Sequence, residues 1–337
     1  MEPIFKLPPV TIHERFTALG RERRVWSIDN RSVRSLGPNR GRGITVAVVD
    51  TGVDKVHCLS GDLRNKVRIA KDFTGSHITG TNDAMGHGTH VAGTIGGIED
   101  EFGGIGVAPG SDLLVYKGLD DYGSGTEQSV VQAFAAAISD GPHVINFSGG
   151  SPVKSNAIIG IVEEALARGI HVVVAAGNFG NHARSWPAMH PGVISVAATD
   201  ERDMAADFSE PSSVDAACPG VKILSTYRHG TFALMDGTSM AAPYFSGLLA
   251  CYLSHLIAQN KPLPKPSEVF KLIESWSVDI GDPGHDAKTG FGIPSVERYR
   301  ATAPKEEAAK EPVWKPTNAW PWNWINTDKR AMCDKVA

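Results

Sequence analysis

Five short runs of mainly apolar and β-branched residues recur along the chain, and helical patterns separate several of them. Runs of this kind are typical of strands that are buried on both faces of a parallel sheet. They lie at 44–50, 112–117, 143–148, 170–177 and 192–198, and the clearest helical patterns lie at 127–139 and 157–169. Alternating strands and helices form βαβ units. The sequence therefore predicts an α/β fold with a doubly wound, mainly parallel sheet and helices on both faces.

Local signals predict where individual helices begin and end. Ser124 begins a candidate capping box before the first of these two helices, and Gly169 supplies a stop for the second. Ser267 is a candidate N-cap for a short helix later in the chain. The sequence also predicts a hairpin that turns near residues 228–230 and a long helix over 238–258.

Composition excludes some classes of partner. The 337 residues carry a formal net charge of -4, without the basic excess of a chain that binds nucleic acid, so we expect no nucleic-acid partner. No apolar run approaches the ~20 residues of a membrane-spanning helix, so no transmembrane segment is predicted. The sequence gives no indication of the oligomeric state.

The chain divides into three parts. We expect an N-terminal extension (1–25), one large domain (26–300) and a C-terminal part (301–337) made of a charged linker and a Trp/Pro-rich tail. The tail holds four tryptophans, and either folds back on an apolar patch of its own domain or anchors a membrane interface or a partner. We favour the first interpretation, because no amphipathic helix with a basic face accompanies the aromatic residues. The tryptophans are Trp314, Trp320, Trp322 and Trp324.

Three stretches carry polar side chains that we expect near the carboxyl ends of the parallel strands, where functional residues of such sheets lie. Asp50 ends the first strand run, His87 begins a glycine-rich helical stretch, and Ser239 lies at the start of the long helix. Taken alone, each residue has a structural explanation as a cap or turn residue. His87 and His90 lack the spacing and the glutamate of H-E-x-x-H zinc proteases, which argues against a metal site there.

Taken together, the stretches VVDTGVD, GHGTHVAGT and GTSMAAP occur in the order Asp, His, Ser, and the sequence resembles the subtilisin-like serine proteases. The resemblance implies a serine endopeptidase that works through an acyl-enzyme. Ser239 would be the nucleophile, His87 the general base and Asp50 the carboxylate that orients it. Asn178, within the AAGN motif, would donate to the oxyanion together with the Ser239 N–H, although a turn asparagine is the simpler alternative. His90 has no place in this scheme and is expected to pack or to form hydrogen bonds.

The resemblance also implies that a peptide or protein substrate binds in extended conformation between two backbone rims. The usual SLG of the family reads Ser148-Gly149-Gly150 here, which removes an apolar wall and puts the preferred side chains in doubt. With no acid evident in the first pocket, we expect broad specificity, with medium to large uncharged side chains before the cut. The implied binding residues are Tyr122, Gly123, Ser124 and Gly125 on one rim, Ser148, Gly149 and Gly150 on the other, and Ala175, Ala176, Gly177 and Ser185 around the pocket.

The loop 96–110 corresponds in length to a calcium-binding loop of many relatives. Glu99, Asp100 and Glu101 offer hard oxygen ligands, and a solvated acidic turn is the alternative. The candidate metal ligands are Glu99, Asp100, Phe102 and Gly104. The chemistry itself requires no cofactor, so calcium would be structural.

The stretch IFKLPPV, residues 4–10, loosely resembles the brief N-terminal extension of the intracellular subtilisins, in which a proline-bearing segment lies across the cleft. Pro8 and Pro9 restrict the backbone to extended geometry, so the segment has the shape of a substrate. A tethered segment acts at high effective concentration, which makes it a candidate inhibitor. A frayed terminus, or a strand packed on the back of the domain, is the alternative.

The cysteines and the N-terminus bear on the location of the protein. No C-x-x-C occurs, so buried or surface thiols are the simpler interpretation, with one or two disulfides as the alternative. The first twenty residues do not form a signal core, so with Met1 as the native start the sequence predicts a cytoplasmic protein. The alternative is a secreted protein whose signal and prodomain are absent from this sequence. The cysteines are Cys58, Cys218, Cys251 and Cys333.

Two further functions are compatible with the same motifs. One is a catalytically silent binding protein that keeps the fold, which the complete set of catalytic motifs disfavours. The other is a dedicated processing protease, or a transpeptidase that passes the acyl group to an amine.

Overall fold

The computed structural model describes residues 3–17, 25–37, 40–76, 80–100, 103–180, 185–211 and 213–302. Glu101, Phe102, Cys333, the charged linker and the four tail tryptophans lie outside the described residues.

The described residues form fourteen strands. They are β1 (Ile4–Lys6), β2 (Thr11–Phe16), β3 (Thr45–Asp50), β4 (Val67–Asp72), β5 (Asp112–Lys117), β6 (Ser124–Thr126), β7 (Val144–Phe147), β8 (His171–Ala175), β9 (Ile194–Thr199), β10 (Ala216–Pro219), β11 (Ile223–Tyr227), β12 (Thr231–Asp236), β13 (Ser277–Val278) and β14 (Ile293–Pro294).

The same residues form eight α-helices and two single 3₁₀ turns, at Val33–Leu36 and Arg228–Gly230. The helices are α1 (Trp26–Asp29), α2 (Lys55–Ser60), α3 (His87–Gly96), α4 (Glu127–Asp140), α5 (Asn156–Ala167), α6 (Thr238–Ala258), α7 (Pro266–Trp276) and α8 (Val296–Thr302).

Seven parallel strands form the central sheet, in the order β10-β9-β8-β7-β3-β5-β4. Helices α3 and α6 pack on one face, and α4 and α5 pack on the other. The predicted doubly wound α/β fold is therefore confirmed. The strand order reverses beside β3, and ligands of open α/β sheets bind at the carboxyl ends of the strands at such a point.

Helix α6 is the longest described helix and matches the predicted range. It is long and apolar enough to cross a membrane, but 83% of its most apolar window is buried inside the protein. It is therefore the central core helix, packed against α3 and β9. The predicted hairpin is also present, since β11 and β12 pair antiparallel around the turn at 228–230, and β2 adds a third strand to them.

Two of the three predicted helix signals are wrong. Ser124 lies in β6, and the N-cap of α4 is Thr126, whose hydroxyl accepts a bond from the Ser129 N–H at 3.0 Å. Ser267 lies inside α7, because the helix already begins at Pro266, whose fixed φ suits the first helical position. Gly169 does end α5, in the left-handed conformation at φ 80°.

Candidate active site

Asp50 and His87 form a buried pair at the switch point of the sheet. Asp50 is the last residue of β3, and His87 is the first residue of α3. Asp50 Oδ1 lies 2.8 Å from His87 Nδ1, and it also accepts a bond from the Thr51 N–H at 2.7 Å. Because a carboxylate only accepts, Nδ1 carries a proton, and Nε2 is the ring nitrogen that is left to act as an acceptor.

Ser239 lies in the first turn of α6, opposite the end of β7. Its Oγ donates to the carbonyl oxygen of Ser148 at 3.2 Å. The Ser148 hydroxyl in turn donates to the carbonyl oxygen of Ser239 at 3.2 Å. That carbonyl is available because Pro243, four residues on in the helix, has no N–H to offer it. His87 Nε2 has no hydrogen-bond partner among the described residues.

Asn178 follows β8 and faces the start of α6. Its Oδ1 accepts bonds from the N–H and the hydroxyl of Thr238, at 2.8 and 2.7 Å. These two bonds fix the side-chain amide, so its Nδ2 is directed into the cleft. There it donates to the carbonyl oxygen of Pro9 at 2.7 Å.

The N-terminal segment lies across the cleft. β1 pairs antiparallel with β6, in the register Phe5 opposite Gly125. Lys6 exchanges two backbone bonds with Gly150, at 2.9 and 3.0 Å, and the Leu7 N–H donates to the carbonyl of Gly123 at 3.0 Å. The segment therefore bonds to both predicted rims, and the triad beneath it is at most 1% exposed.

The two glycines of the rim 148–150 lie close to neighbouring side chains. A Cβ on Gly150 would lie 2.2 Å from Ser185 Oγ, and one on Gly149 would lie 2.9 Å from the ring of Phe147. Side chains at these two positions would require local rearrangement. Tyr122, by contrast, is 89% exposed at the outer edge of the other rim.

The predicted pocket wall contains an acid that the sequence did not indicate. Glu210 is wholly buried, and its N–H donates to the carbonyl of Gly177 at 3.0 Å. A Cβ on Gly177 would lie 3.1 Å from Glu210 Oε2. Ala175 and Ala176, just before this glycine, are buried at the end of β8. No sequence motif pointed to Glu210, because this residue lies more than thirty positions beyond the AAGN motif that it contacts.

His90 holds α3 against the small sheet, as the sequence analysis expected of a packing residue. Its Nε2 contacts the carbonyls of Ile223 and Ala233, at 3.0 and 3.2 Å. Burial, together with the nearby His87, lowers the pKa of His90 to about 3. His90 therefore stays neutral and does not take part in proton transfer.

The acidic loop 96–110 is paired with arginines. Glu99 forms ion pairs with Arg34 and with Arg40, the latter at 2.7 Å, and Asp100 pairs with Arg64 at 2.5 Å. Gly104 donates its N–H to a carboxylate oxygen of Asp62 at 2.7 Å. Among the described residues, no group of three or more His, Cys, Asp or Glu side chains is arranged to hold a metal.

A serine hydroxyl becomes a nucleophile only when a neighbouring base removes its proton, and a carboxylate-bound imidazole of this kind is such a base. Here the pair lies on a parallel α/β sheet, with an amide donor aimed into the same cleft. The sequence profile of the subtilase family matches residues 41–292. The chain therefore belongs to the subtilase family.

Individual relatives agree with this assignment. Subtilisin Savinase from Lederbergia lenta is 36% identical over 270 residues, which cover 80% of this chain and 91% of the relative. The M-protease of Shouchella clausii strain KSM-K16 is also 36% identical over 270 residues, which cover 80% of this chain and 64% of the relative. Subtilisin from Bacillus pumilus is 40% identical over 246 residues, covering 72% of this chain and 86% of the relative. This chain thus spans just under two thirds of the length of the M-protease.

Proposed function

We propose that the chain hydrolyses peptide bonds through an acyl-enzyme formed on Ser239. His87 Nε2 removes the proton from the serine hydroxyl and later gives it to the leaving amine. Asp50 keeps the other proton on Nδ1 and offsets the charge of the imidazolium. The observation that carries this proposal is the buried 2.8 Å bond between Asp50 Oδ1 and His87 Nδ1, because it leaves Nε2 as the acceptor.

Asn178 and the Ser239 N–H stabilise the oxyanion of the tetrahedral intermediate. The Asn178 amide is held by Thr238, so it needs no reorganisation when negative charge develops. Its present partner is a backbone carbonyl, that of Pro9, which is the type of group that a substrate presents.

We also propose that residues 4–10 inhibit the enzyme by occupying its cleft. The segment forms backbone bonds with both rims, as an extended peptide substrate does, and its Phe5 side chain is wholly buried. Beyond the cleft the chain continues as β2, which pairs along β12 and so anchors the segment on both sides of Ser239.

The two prolines of the segment bear on the nucleophile. Pro8 and Pro9 follow Leu7, and proline has no N–H to offer the Ser148 carbonyl. That carbonyl accepts the bond of the Ser239 hydroxyl instead, so in the occupied cleft the nucleophile is bonded to Ser148.

Substrate selection is broad, because both rims bind backbone rather than side chains. The contact between Phe5 and Phe147, whose ring centres are 6.3 Å apart, supports a preference for a large apolar residue at the position that Phe5 mimics. Before the cut, medium to large uncharged side chains were expected because no acid was evident in the first pocket, and Glu210 beside Gly177 removes that reason, so the peptides tested also include Lys and Arg at this position. Product analysis with a peptide library and an added amine separates hydrolysis from transpeptidation and from narrow processing.

A fluorophosphonate probe tests the central proposal, since it reacts only with an activated serine. We expect labelling at Ser239 in the protein lacking residues 1–20, and slower labelling in the full chain. The Ser239→Ala variant serves as the control and is expected to show no labelling. A folded protein whose Ser239 is never labelled would instead be a catalytically silent binding protein.

Structural calcium is proposed for the loop 96–110. The carboxylates of Glu99 and Asp100 have the hard-oxygen chemistry that calcium prefers, but arginines hold both, so calcium has to compete with them. We expect the thermal midpoint of the chelated Ser239→Ala protein to rise when calcium is added back. An unchanged midpoint after thorough chelation and readdition contradicts this proposal.

A cytoplasmic location is proposed as well. Cys218 and Cys251 are buried thiols, and burial raises the pKa of Cys251 to about 12. Inert thiols of this kind are typical of proteins in reducing compartments. Fractionation of the source cells tests the location, and recovery of the protein from the medium contradicts it.

A further inference from the structure

One buried carboxylate outside the triad binds the segment that leads into α3. Asp83 is wholly buried. Its Oδ1 accepts from the Thr51 hydroxyl at 2.8 Å and from the N–H groups of Met85 and Gly86, at 3.1 and 2.7 Å. Its Oδ2 accepts from the N–H and the hydroxyl of Thr89, at 2.8 and 2.7 Å. One carboxylate therefore receives five hydrogen bonds.

These bonds replace an ordinary helix cap. The N-cap residue of α3 is Gly86, which has no side chain to satisfy the first N–H groups of the helix. Asp83 accepts from three backbone N–H groups around this turn, those of Met85, Gly86 and Thr89. The Thr51 hydroxyl accepts a fourth, from Gly88, at 2.9 Å. A negative charge at a helix N-terminus is also favoured by the helix dipole.

The same network joins the two halves of the Asp–His pair. Thr51 follows Asp50 and donates its N–H to the carboxylate that binds His87. Lys117 on β5 is wholly buried, and its ammonium group donates to the carbonyl of Thr51 at 2.9 Å. This bond restrains the Thr51 backbone independently of its N–H bond to Asp50. Asp83 thus bonds both to the residue after Asp50 and to the first turn that begins with His87.

We infer that Asp83 is a positioning residue for catalysis, which holds His87 in register with Asp50 through Thr51 and the first turn of α3. It does not touch the reacting atoms. Its effect depends on both carboxylate oxygens accepting, because each faces donors only. An amide at this position replaces one acceptor with an NH₂ donor. This donor then faces either the donors of Thr89 or the hydroxyl of Thr51, and their hydrogen bonds are lost.

The test compares Asp83→Asn with Asp215→Asn in the full chain after its lag has ended. Asp215 is the control: it is half-buried and, like Asp83, its carboxylate accepts a backbone N–H, from Ser195 at 2.8 Å, near the start of β9 and thus towards the opposite edge of the sheet. We expect Asp83→Asn to lower kcat by about 10–100-fold with KM changed by less than about threefold, because small displacements of a catalytic group cost rates of this order. Asp215→Asn is expected to retain kcat.

A spectroscopic readout separates positioning from general destabilisation. We expect the proton on His87 Nδ1, bonded to Asp50, to give a low-field NMR signal in the folded wild-type protein. In Asp83→Asn we expect this signal to shift or broaden while the rest of the spectrum stays that of a folded protein. In Asp215→Asn it should stay unchanged.

Thr51 supplies a second route if Asp83→Asn does not fold. Thr51→Val removes the hydroxyl link, and Thr51→Ser keeps it, so loss of kcat in the first and retention in the second supports the inference. Equal kcat in Thr51→Val and wild type overturns it, as does full kcat with an unchanged low-field signal in Asp83→Asn. The inference rests on the proposed function, but the two failures differ, because a wild-type protein without hydrolysis refutes the proposed function itself.

Discussion

Asn178 acts through both ends of its side-chain amide. The oxygen is bound by Thr238 at the start of the helix that carries the nucleophile, and the nitrogen is aimed into the cleft. In the proposed mechanism the oxyanion donor and the serine therefore share one anchor at the start of α6. Such coupling keeps the donor at a constant place relative to the carbon that the serine attacks.

At this scale we predict that Asn178→Ala lowers kcat by roughly 10²–10³ while KM changes little, a magnitude that comes from a subtilisin oxyanion donor. The reason is that the donor matters most when charge develops on the oxygen. Steady-state kinetics of the segment-deleted protein measure both constants. Asn156→Ala, at the exposed start of α5, is the control and should behave as wild type. A change confined to KM would mean that Asn178 does not donate to the oxyanion.

At the scale of elements, β1 is held in the cleft by one buried side chain and a few backbone bonds. Phe5 is wholly buried, whereas its neighbour Ile4 is 55% exposed. We predict that Phe5→Ala shortens the lag before activity on a small peptide substrate and raises the initial rate, because truncating a buried phenylalanine weakens docking by about 3–5 kcal/mol. Ile4→Ala is the matched control, and its progress curve should follow that of wild type.

Deleting residues 1–20 should abolish the lag altogether. Progress curves at equal concentrations of folded protein provide the measurement, with circular dichroism as the check on folding. If the full chain and the deleted chain start at the same rate without a lag, the segment is not an inhibitor.

Five of the seven parallel strands were predictable because they are mainly apolar, which is typical of burial on both faces. The two edge strands, β4 and β10, were missed, because β4 alternates apolar with charged residues and β10 is only four residues long. The first residues of the helices were less predictable than the strands. Ser124 has the side chain of a helix cap, yet it lies in β6 and pairs with Lys6 of β1, which is more than a hundred residues away in the sequence. A local capping pattern does not reveal that a residue will pair with a strand far away in the sequence.

The motifs predicted Asp50, His87 and Ser239. The bond between Thr51 and Asp83 and the contact between Glu210 and Gly177 were missed, because each joins residues that are about thirty positions apart.

At the scale of the whole molecule, buried histidines make stability depend on pH. His171 begins β8 and is 2% exposed, and burial, with the nearby His143, lowers its pKa to about 4 from 6.5. Above pH 6.5 the ring is neutral in both states. Between pH 6.5 and 4 the unfolded chain binds a proton that the folded chain does not, so the free energy of unfolding falls as pH falls.

We therefore predict that His171→Gln reduces the loss of stability between pH 7 and pH 5 by about 2 kcal/mol. Urea unfolding of both proteins at the two pH values measures this, with Ser239→Ala in each chain to prevent self-digestion. A pH dependence identical in the two proteins would mean that His171 is protonated equally in the folded and unfolded states.

Under the proposed inhibition, the anchoring of the N-terminal segment by β1 and β2 also determines how a population of molecules becomes active. Dilution does not separate an inhibitor from a cleft on the same chain, so each molecule alone stays latent at any concentration. Clipping by another copy is bimolecular, and every clipped copy adds to the pool that clips. Activation is then autocatalytic: its onset comes sooner as copies become more numerous, and a sparse population stays silent for longest.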